Sequence, residues 1–555
     1  MQGEILEFKK DIFACLKLLE KRSKEKDVTS TLNLLHYIKN EFDYPQVYQT
    51  LAEIYSKMKL YELSNKHWFY LLDKSAKDRV GEIYENLSIN YFKLNDVLSS
   101  TYYLGKKIET EGAELRHANE TKYIEFFSQE QKGADIRLIH PIEMVDFSKV
   151  EEQARQNLDE QNFQLAKEKY LSIPKEKRTI GAYTDLCFTL NVLEEYEESI
   201  KSAKDCLAVY GENTTAYVAL SYTYNHINNK EKSEYFYQKA LQCSKDKEED
   251  VERLVYCAVD RGDDKNARKY LDLFIKRNSF DLEMRFFSGI CYLNLGDFKK
   301  AYSELSYIYQ INPESIVYGF YANLAGNLLD GKDGGKNYLP LSYEMRLPTQ
   351  LEKAYKDKIK GLVNEPSKIR SKLRKEEYRK ILSWGLTQDD LSLARDCVYL
   401  LSVCFNDFSI KLMLNALLQP SINLLVKKAI VYGLVVCEYK KPFGIVLNTM
   451  YHKIKQKKLA FKSKGEDSVF LCAYALALTE IVLTGMFDTG RICREANMLY
   501  QKLKGKVLEY NISREELATL ILSNSERESI FSKKQWGKTF DVSPKRIEFI
   551  KSLME

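Results

Sequence analysis

Residues 182–213 read AYTDLCFTLNVLEEYEESIKSAKDCLAVYGEN, and residues 216–247 read AYVALSYTYNHINNKEKSEYFYQKALQCSKDK. Laid over each other they match at a step of 34: Tyr183 with Tyr217, Leu186 with Leu220, Ser199 with Ser233, and Cys206 with Ala240. The next step reaches Val251, Leu254, Ala267 and Phe274. One more reaches Arg285, Gly289 (equivalent to Val255), Ala301 and Ile308, and Pro313 closes that unit. Turn residues recur too, as Arg261-Gly262-Asp263 and Leu295-Gly296-Asp297. Each unit therefore reads as two amphipathic helices joined by a turn. Such a hairpin cannot bury its apolar stripe alone and must stack on its neighbours.

Weaker copies lengthen the array. Val150, Ala154, Phe163, Ala166 and Tyr170 hold the register one step upstream, at a spacing of 33. Near the N-terminus lie Tyr48, Leu51, Ala52, Tyr55, Tyr61 and Trp68, then Tyr84, Leu87, Ser88, Tyr91 and Leu104. Residues 1–41 read as a degenerate capping hairpin. A helix over about Glu111–Gln131 and a connector ending in His140-Pro141 separate the two groups. The pattern resembles the tetratricopeptide repeat, which opens on a bulky residue and uses small residues where its helices approach. The resemblance implies a right-handed superhelix whose first helices line a concave groove that holds a peptide. The groove positions would be Thr184, Phe188, Asn191, Tyr222, Asn225, His226, Tyr256 and Phe286. An aromatic at helical spacing more often packs between helices than binds a ligand. The amides of Asn191 and Asn225 are the better candidates, because they can bond to any peptide backbone. The Lys and Asn set with which some members clamp a terminal carboxylate is not found.

The totals agree with an all-α chain: 555 residues, 45% hydrophobic and 29% charged, with only 10 Pro and 24 Gly to break helices. Eleven Cys from Cys15 to Cys493 stand singly, which suggests neither a disulfide framework nor a zinc module. The N-terminus has no signal-peptide core, and the apolar stretch Leu412–Val436 is interrupted by Pro420, Lys427 and Lys428. The expectation is a cytoplasmic protein with no membrane contact. Charge is uneven: residues 341–555 carry a net +13 and residues 1–340 a net −8. Two surfaces with different partners follow from that asymmetry.

After Asn327 the register is lost, and three glycines within 330–335 mark a linker. Two stretches then repeat at a step of 32, with Leu386 matching Leu418, Ala394-Arg395 matching Val426-Lys427, and Val398 matching Ile430. They resemble HEAT-type hairpins. Two basic runs, Lys368–Lys380 and His452–Lys464, are solvated faces or a phosphate-binding surface. Trp536 to Pro544, followed by Ile547, resembles a helix-turn-helix. Ser543 would cap its second helix, and Lys545, Arg546 and Lys551 would face phosphates; the plainer reading is a capping hairpin. The partition expected is 1–147 N-terminal hairpins and connector, 148–327 solenoid, 328–366 linker, 367–510 HEAT-like region and 511–555 C-terminal segment.

No nucleotide-binding glycine loop, HExxH or GxSxG is present, and the six His are scattered with no i, i+4 pair. Neither enzyme, cofactor nor metal is therefore expected. The reading is a non-catalytic scaffold that binds a peptide or helix of a protein partner in its groove. The alternative is a nucleic-acid-associated regulator that uses its basic C-terminal half.

Overall fold

The computed structural model describes residues 15, 28–42, 44–74, 79–110, 147–159, 161–244, 248–332, 337–455, 457–483, 489–525 and 533–554. The described residues pack as two bodies: one takes Cys15 and residues 34–110 and 347–554, the other residues 28–33 and 147–346. The expected helix at Glu111–Gln131, the His140-Pro141 connector and most of the capping hairpin lie outside the described residues.

The N-terminal helices are α1 (Val28–Phe42), α2 (Pro45–Lys57), α3 (Tyr61–Lys74), α4 (Val80–Lys93) and α5 (Val97–Thr110). The second body stacks α6 (Phe147–Asp159), α7 (Phe163–Ser172), α8 (Ile180–Val192), α9 (Tyr196–Tyr210), α10 (Thr214–His226) and α11 (Lys230–Cys243). It continues with α12 (Glu248–Asp260), α13 (Asp264–Arg277), α14 (Leu282–Asn294), α15 (Phe298–Ile311) and α16 (Ile316–Leu329). Each expected hairpin from 150–173 to 285–309 is present as a helix pair. The first helices also touch one another, α8 on α10 and α10 on α12, so their row is the tighter, inner side of the stack.

The backbone repeats at the step of the sequence. Glu194, Asn228, Gly262 and Gly296, each 34 apart, close successive turns with φ of 61°, 58°, 65° and 78°. That left-handed geometry suits Gly and Asn, and it explains why the turn glycines recur. The residue after three of them, Asn229, Asp263 or Asp297, then caps the next helix by accepting a backbone N–H with its side chain. Such a cap contributes about 1 kcal/mol. Within each hairpin the helices cross at small residues 12 apart. At Ser221 and Ser233 each hydroxyl donates to the other's carbonyl, at 2.9 Å in both directions. Ser88 and Ser100 in the N-terminal hairpin make the same reciprocal pair, again at 2.9 Å. A small hydroxyl both permits the close approach and satisfies itself in a dry crossing. Ala267 and Ala301 are fully buried at the equivalent positions.

After the solenoid, residues 339–348 form neither helix nor strand. The first body then resumes with α17 (Thr349–Asn364), α18 (Ile369–Lys372), α19 (Glu376–Leu386), α20 (Leu391–Cys404), α21 (Asp407–Leu417) and α22 (Leu424–Val436). The expected linker thus contains a helix of 16 residues. The two stretches that repeat at a step of 32 fall on the helix pairs α19–α20 and α21–α22. A β-hairpin follows, β1 (Phe443–Leu447) antiparallel to β2 (Met450–Ile454), where the sequence reading has only helix. Asn448 and Thr449 turn it with φ of 47° and 66°, both positive as a tight hairpin turn demands. It seats on the N-terminal hairpins. The buried Tyr103 hydroxyl donates to the Thr449 carbonyl and accepts from the Tyr451 N–H at 2.9 Å, while Lys453 pairs with Asp73 at 2.6 Å. The second basic run is therefore partly spent in a strand. The chain ends with α23 (Asp467–Leu483), α24 (Thr489–Leu503), α25 (Arg514–Ser525), α26 (Lys533–Thr539) and α27 (Pro544–Ser552). Among the described residues no helix is long and apolar enough to cross a membrane.

Candidate peptide-binding groove

Six of the eight expected groove residues line one cavity of about 410 Å³ between α8, α10 and α12: Thr184, Phe188, Asn191, Tyr222, Asn225 and Tyr256. Helical periodicity explains why. Phe188, Tyr222 and Tyr256 occupy equivalent turns of three inner helices, and Phe188 and Tyr256 remain 47% and 37% exposed. The Tyr256 hydroxyl donates to Glu283 at 2.9 Å, which fixes its ring at the cavity edge.

The other two residues stand differently. His226 is exposed beside the cavity, its ring stacked on Tyr196 at 6.1 Å and edge-on to Tyr222 at 4.5 Å. Phe286 is a correction. It is fully buried, because Tyr318 and Tyr321 of α16 close over it with ring centroids at 6.2 and 5.2 Å. Asn191 is not the freely exposed amide expected either. It is 7% exposed, and its Nδ2 donates to Thr223 Oγ1 at 3.1 Å. Its Oδ1, however, has no hydrogen-bond partner. A buried acceptor left open costs roughly 1–3 kcal/mol unless something bonds to it. Asn225 is exposed.

The sequence reading missed the charged members of the wall. Arg253, Asp260 and Arg261 line the same cavity. Arg253 bonds Thr215, and Arg261 reaches back to the crossing of the preceding hairpin, donating to Ser233 at 2.6 Å and pairing with Glu234. Partial burial holds the Asp260 carboxyl above the usual carboxylate range, against the opposing pull of His226. Burial also pushes the Cys187 and Cys257 thiols up to about 12. They stay protonated at neutral pH.

Beyond Tyr256, Asp260 and Arg261 the groove continues into a second cavity of about 830 Å³, and there one wall is the chain itself, at Pro340–Met345. The side chain of Asn294, at the end of α14, grips this segment in two directions. Its Nδ2 donates to the Leu341 carbonyl at 3.0 Å, and its Oδ1 accepts the Leu341 N–H at 2.8 Å. The Tyr343 hydroxyl donates to Asp264, Phe287 meets the Tyr343 ring edge-on at 5.9 Å, and Tyr321 donates to the Arg346 carbonyl at 3.0 Å. Leu341 and Tyr343 are each only 8% exposed. Nothing in the local sequence distinguishes this stretch from a linker, because the residues that bury it lie far upstream.

At the C-terminus the expected helix-turn-helix elements form as α26 and α27, and Ser543 caps α27 through the Arg546 N–H. Arg546 is nevertheless a correction. Its side chain bonds Glu516 at 2.6 Å and the carbonyls of Tyr510 and Asn511 at 2.8 and 2.9 Å. A guanidinium so occupied joins α27 to the rest of the body and is not free for phosphates. Lys545 and Lys551 are exposed. In the first basic run, Lys368 and Lys380 pair with Glu365 and Glu376. Among the described residues no cluster of His, Cys, Asp and Glu could hold a metal ion.

No family model and no curated protein matches the chain. Solved structures do. A TPR protein with an unusual peptide-binding site, YrrB, matches at 20% identity over 28% of this chain and 79% of its own, with a TM-score of 0.24. A human IFIT1 dimer with PPP-AAAA matches at 13% identity over 73% and 89%, with a TM-score of 0.28. Yeast Tom70 matches at 9% identity over 98% and 95%, with a TM-score of 0.27. On its own geometry of period, crossing and turn, the second body of this chain is a solenoid of stacked α-hairpins that repeat every 34 residues.

Proposed function

We propose that this protein is a scaffold whose solenoid binds a non-helical peptide segment of a protein partner along its inner face, between α8, α10 and α12. The observation that carries the reading is Asn294. One amide of the adjoining cavity, on α14, takes both the N–H and the carbonyl of Leu341, which supports the reading that side chains along this row can hold extended backbone. The open part of the groove repeats the chemistry. It offers aromatic area from Phe188, Tyr222 and Tyr256 and an exposed amide on Asn225. Tyrosine supplies large contact area at low entropic cost, and the amides fix the backbone register.

The test compares proteins captured by the wild type and by a Tyr222→Ala/Asn225→Ala double variant. Asn191 stays intact, since it is buried and bonded to Thr223. Each lost hydrogen bond weakens binding by about 0.5–1.5 kcal/mol and the lost ring adds to that, so capture should fall well over tenfold. A folded double variant that retains every partner at full yield would place the binding surface elsewhere.

A further inference from the structure

The segment Tyr338–Arg346 behaves as a bound peptide. Asn294 reads its backbone at Leu341, the Leu341 side chain is buried, and Asp264 and Phe287 hold Tyr343 by its hydroxyl and its ring edge. A linker that only joined two elements would need none of these contacts. We propose that the inner face of α14 and α16, together with Asp264 at the start of α13, is a recognition site for a non-helical segment with leucine two residues before tyrosine. Residues 338–346 are its intramolecular occupant, and a partner segment of the same chemistry enters by displacing them.

Displacement follows from the neighbouring cavity. An occupant tethered to its own site acts at an effective concentration on the order of millimolar, so a short competitor displaces it only in millimolar excess. A partner that continues into the α8–α12 groove gains contacts on Phe188 and Tyr222 that residues 338–346 do not make. Only such differential contacts can shift the equilibrium. The two cavities meet at Tyr256, Asp260 and Arg261, which line both, so one continuous chain can run through them. With Arg261 paired to Glu234, Asp260 at that junction and Glu283 beside it in the second cavity favour a basic residue in the partner between the two anchor points.

The inference rests on the reading that the inner face takes peptides, but its test uses no natural partner. The probe is a labelled synthetic peptide, NYLPLSYEMR, the sequence of residues 337–346, titrated against the full chain by fluorescence anisotropy. A Leu341→Asp/Tyr343→Ala variant frees the site and should bind the probe roughly tenfold or more tighter than the wild type. Adding Asn294→Ala should remove most of that gain. Equal affinity of wild type and freed variant, or indifference to Asn294→Ala, overturns the proposal. A second measurement needs no variant: with the probe in millimolar excess, amide exchange at 338–346 of the wild type should accelerate, and unchanged exchange also overturns it. Because the α8–α12 groove is untouched, failure here leaves partner capture by that groove standing, and failure of capture leaves this site standing.

Discussion

Gly289 sits in α14 against α15, and replacing it by alanine gives a change whose sign the geometry decides. In an exposed helix, Gly→Ala stabilises by about 0.8–1.0 kcal/mol through backbone entropy. A Cβ at Gly289, however, would lie 2.4 and 2.5 Å from Cγ and Cδ2 of Leu305. Carbon atoms prefer about 3.5–4.0 Å, so either Leu305 leaves its rotamer or the two helices part. Overpacking of this kind costs about 1–3 kcal/mol, which outweighs the entropic gain and leaves a net loss on the order of 1 kcal/mol. Gly105 in α5 is the control, since a Cβ there meets nothing within 4 Å; Gly105→Ala should stabilise its helix. Leu305→Ala alone opens a cavity at a fully buried position and should cost about 2–5 kcal/mol. Combined with Gly289→Ala it should cost less than the two changes summed, by about 0.5–3 kcal/mol, because the new methyl occupies vacated space. Stacked hairpins open locally, so the assay is hydrogen exchange of α14 and α15 measured separately from the rest. If Gly289→Ala slowed exchange there as Gly105→Ala does in α5, the drawn crossing would be wrong.

Lys427 is 2% exposed, its ammonium bonds only the Val446 carbonyl, and burial lowers its pKa to about 8. Below pH 8 it is charged in both folded and unfolded chains and its desolvation cost is fully present; between 8 and 10.5 the unfolded chain binds the extra proton, so stability rises with pH. Relative to Lys427→Met, the wild type should gain about 2 kcal/mol between pH 7.5 and 9.5 in chemical denaturation, and a flat difference would contradict that placement. Tyr103→Phe removes the hydroxyl that joins Thr449 and Tyr451, so amide exchange at 448–451 should speed up by an amount equivalent to about 1–3 kcal/mol. Unchanged exchange would mean that the β-hairpin does not seat on α5. Arg546→Gln should loosen α27 in the same assay while leaving duplex DNA affinity and its salt dependence unaltered; a drop in that affinity with α27 still protected would assign Arg546 to phosphates.

The solenoid was legible because its physics is local and repeats. Gly262 and Gly296 mark left-handed turns, Asp263 and Asp297 cap the helices that follow, and Ala267 and Ala301 mark close crossings. Each can be read from a window of one hairpin. The groove aromatics Phe188, Tyr222 and Tyr256 follow from the same period. Phe286 went the other way because its burial depends on Tyr318 and Tyr321, a hairpin later, and because it falls in the register of Thr184 rather than of Phe188. Asn191 was hidden by Thr223, 32 residues on. The seating of Leu341 and Tyr343 depends on Asn294 and Asp264, 47 and 79 residues before their contacts. The β-hairpin carried a local signal, the Asn448-Thr449 pair between apolar strands, which the surrounding helical composition outweighed. Arg546 shows the limit of charge counting, for a cation in a basic segment can be consumed entirely by its own fold.

The most direct test of the groove is site-specific photo-crosslinking in the native cell, with a benzophenone side chain at position 222 and, separately, at position 235. Tyr222 lines the inner cavity, whereas Tyr235 is 56% exposed on α11, a second helix of the stack. Position 222 should crosslink a partner through a non-helical segment of that partner, and position 235 should give no such product. Crosslinking from 235 with none from 222 would contradict the account.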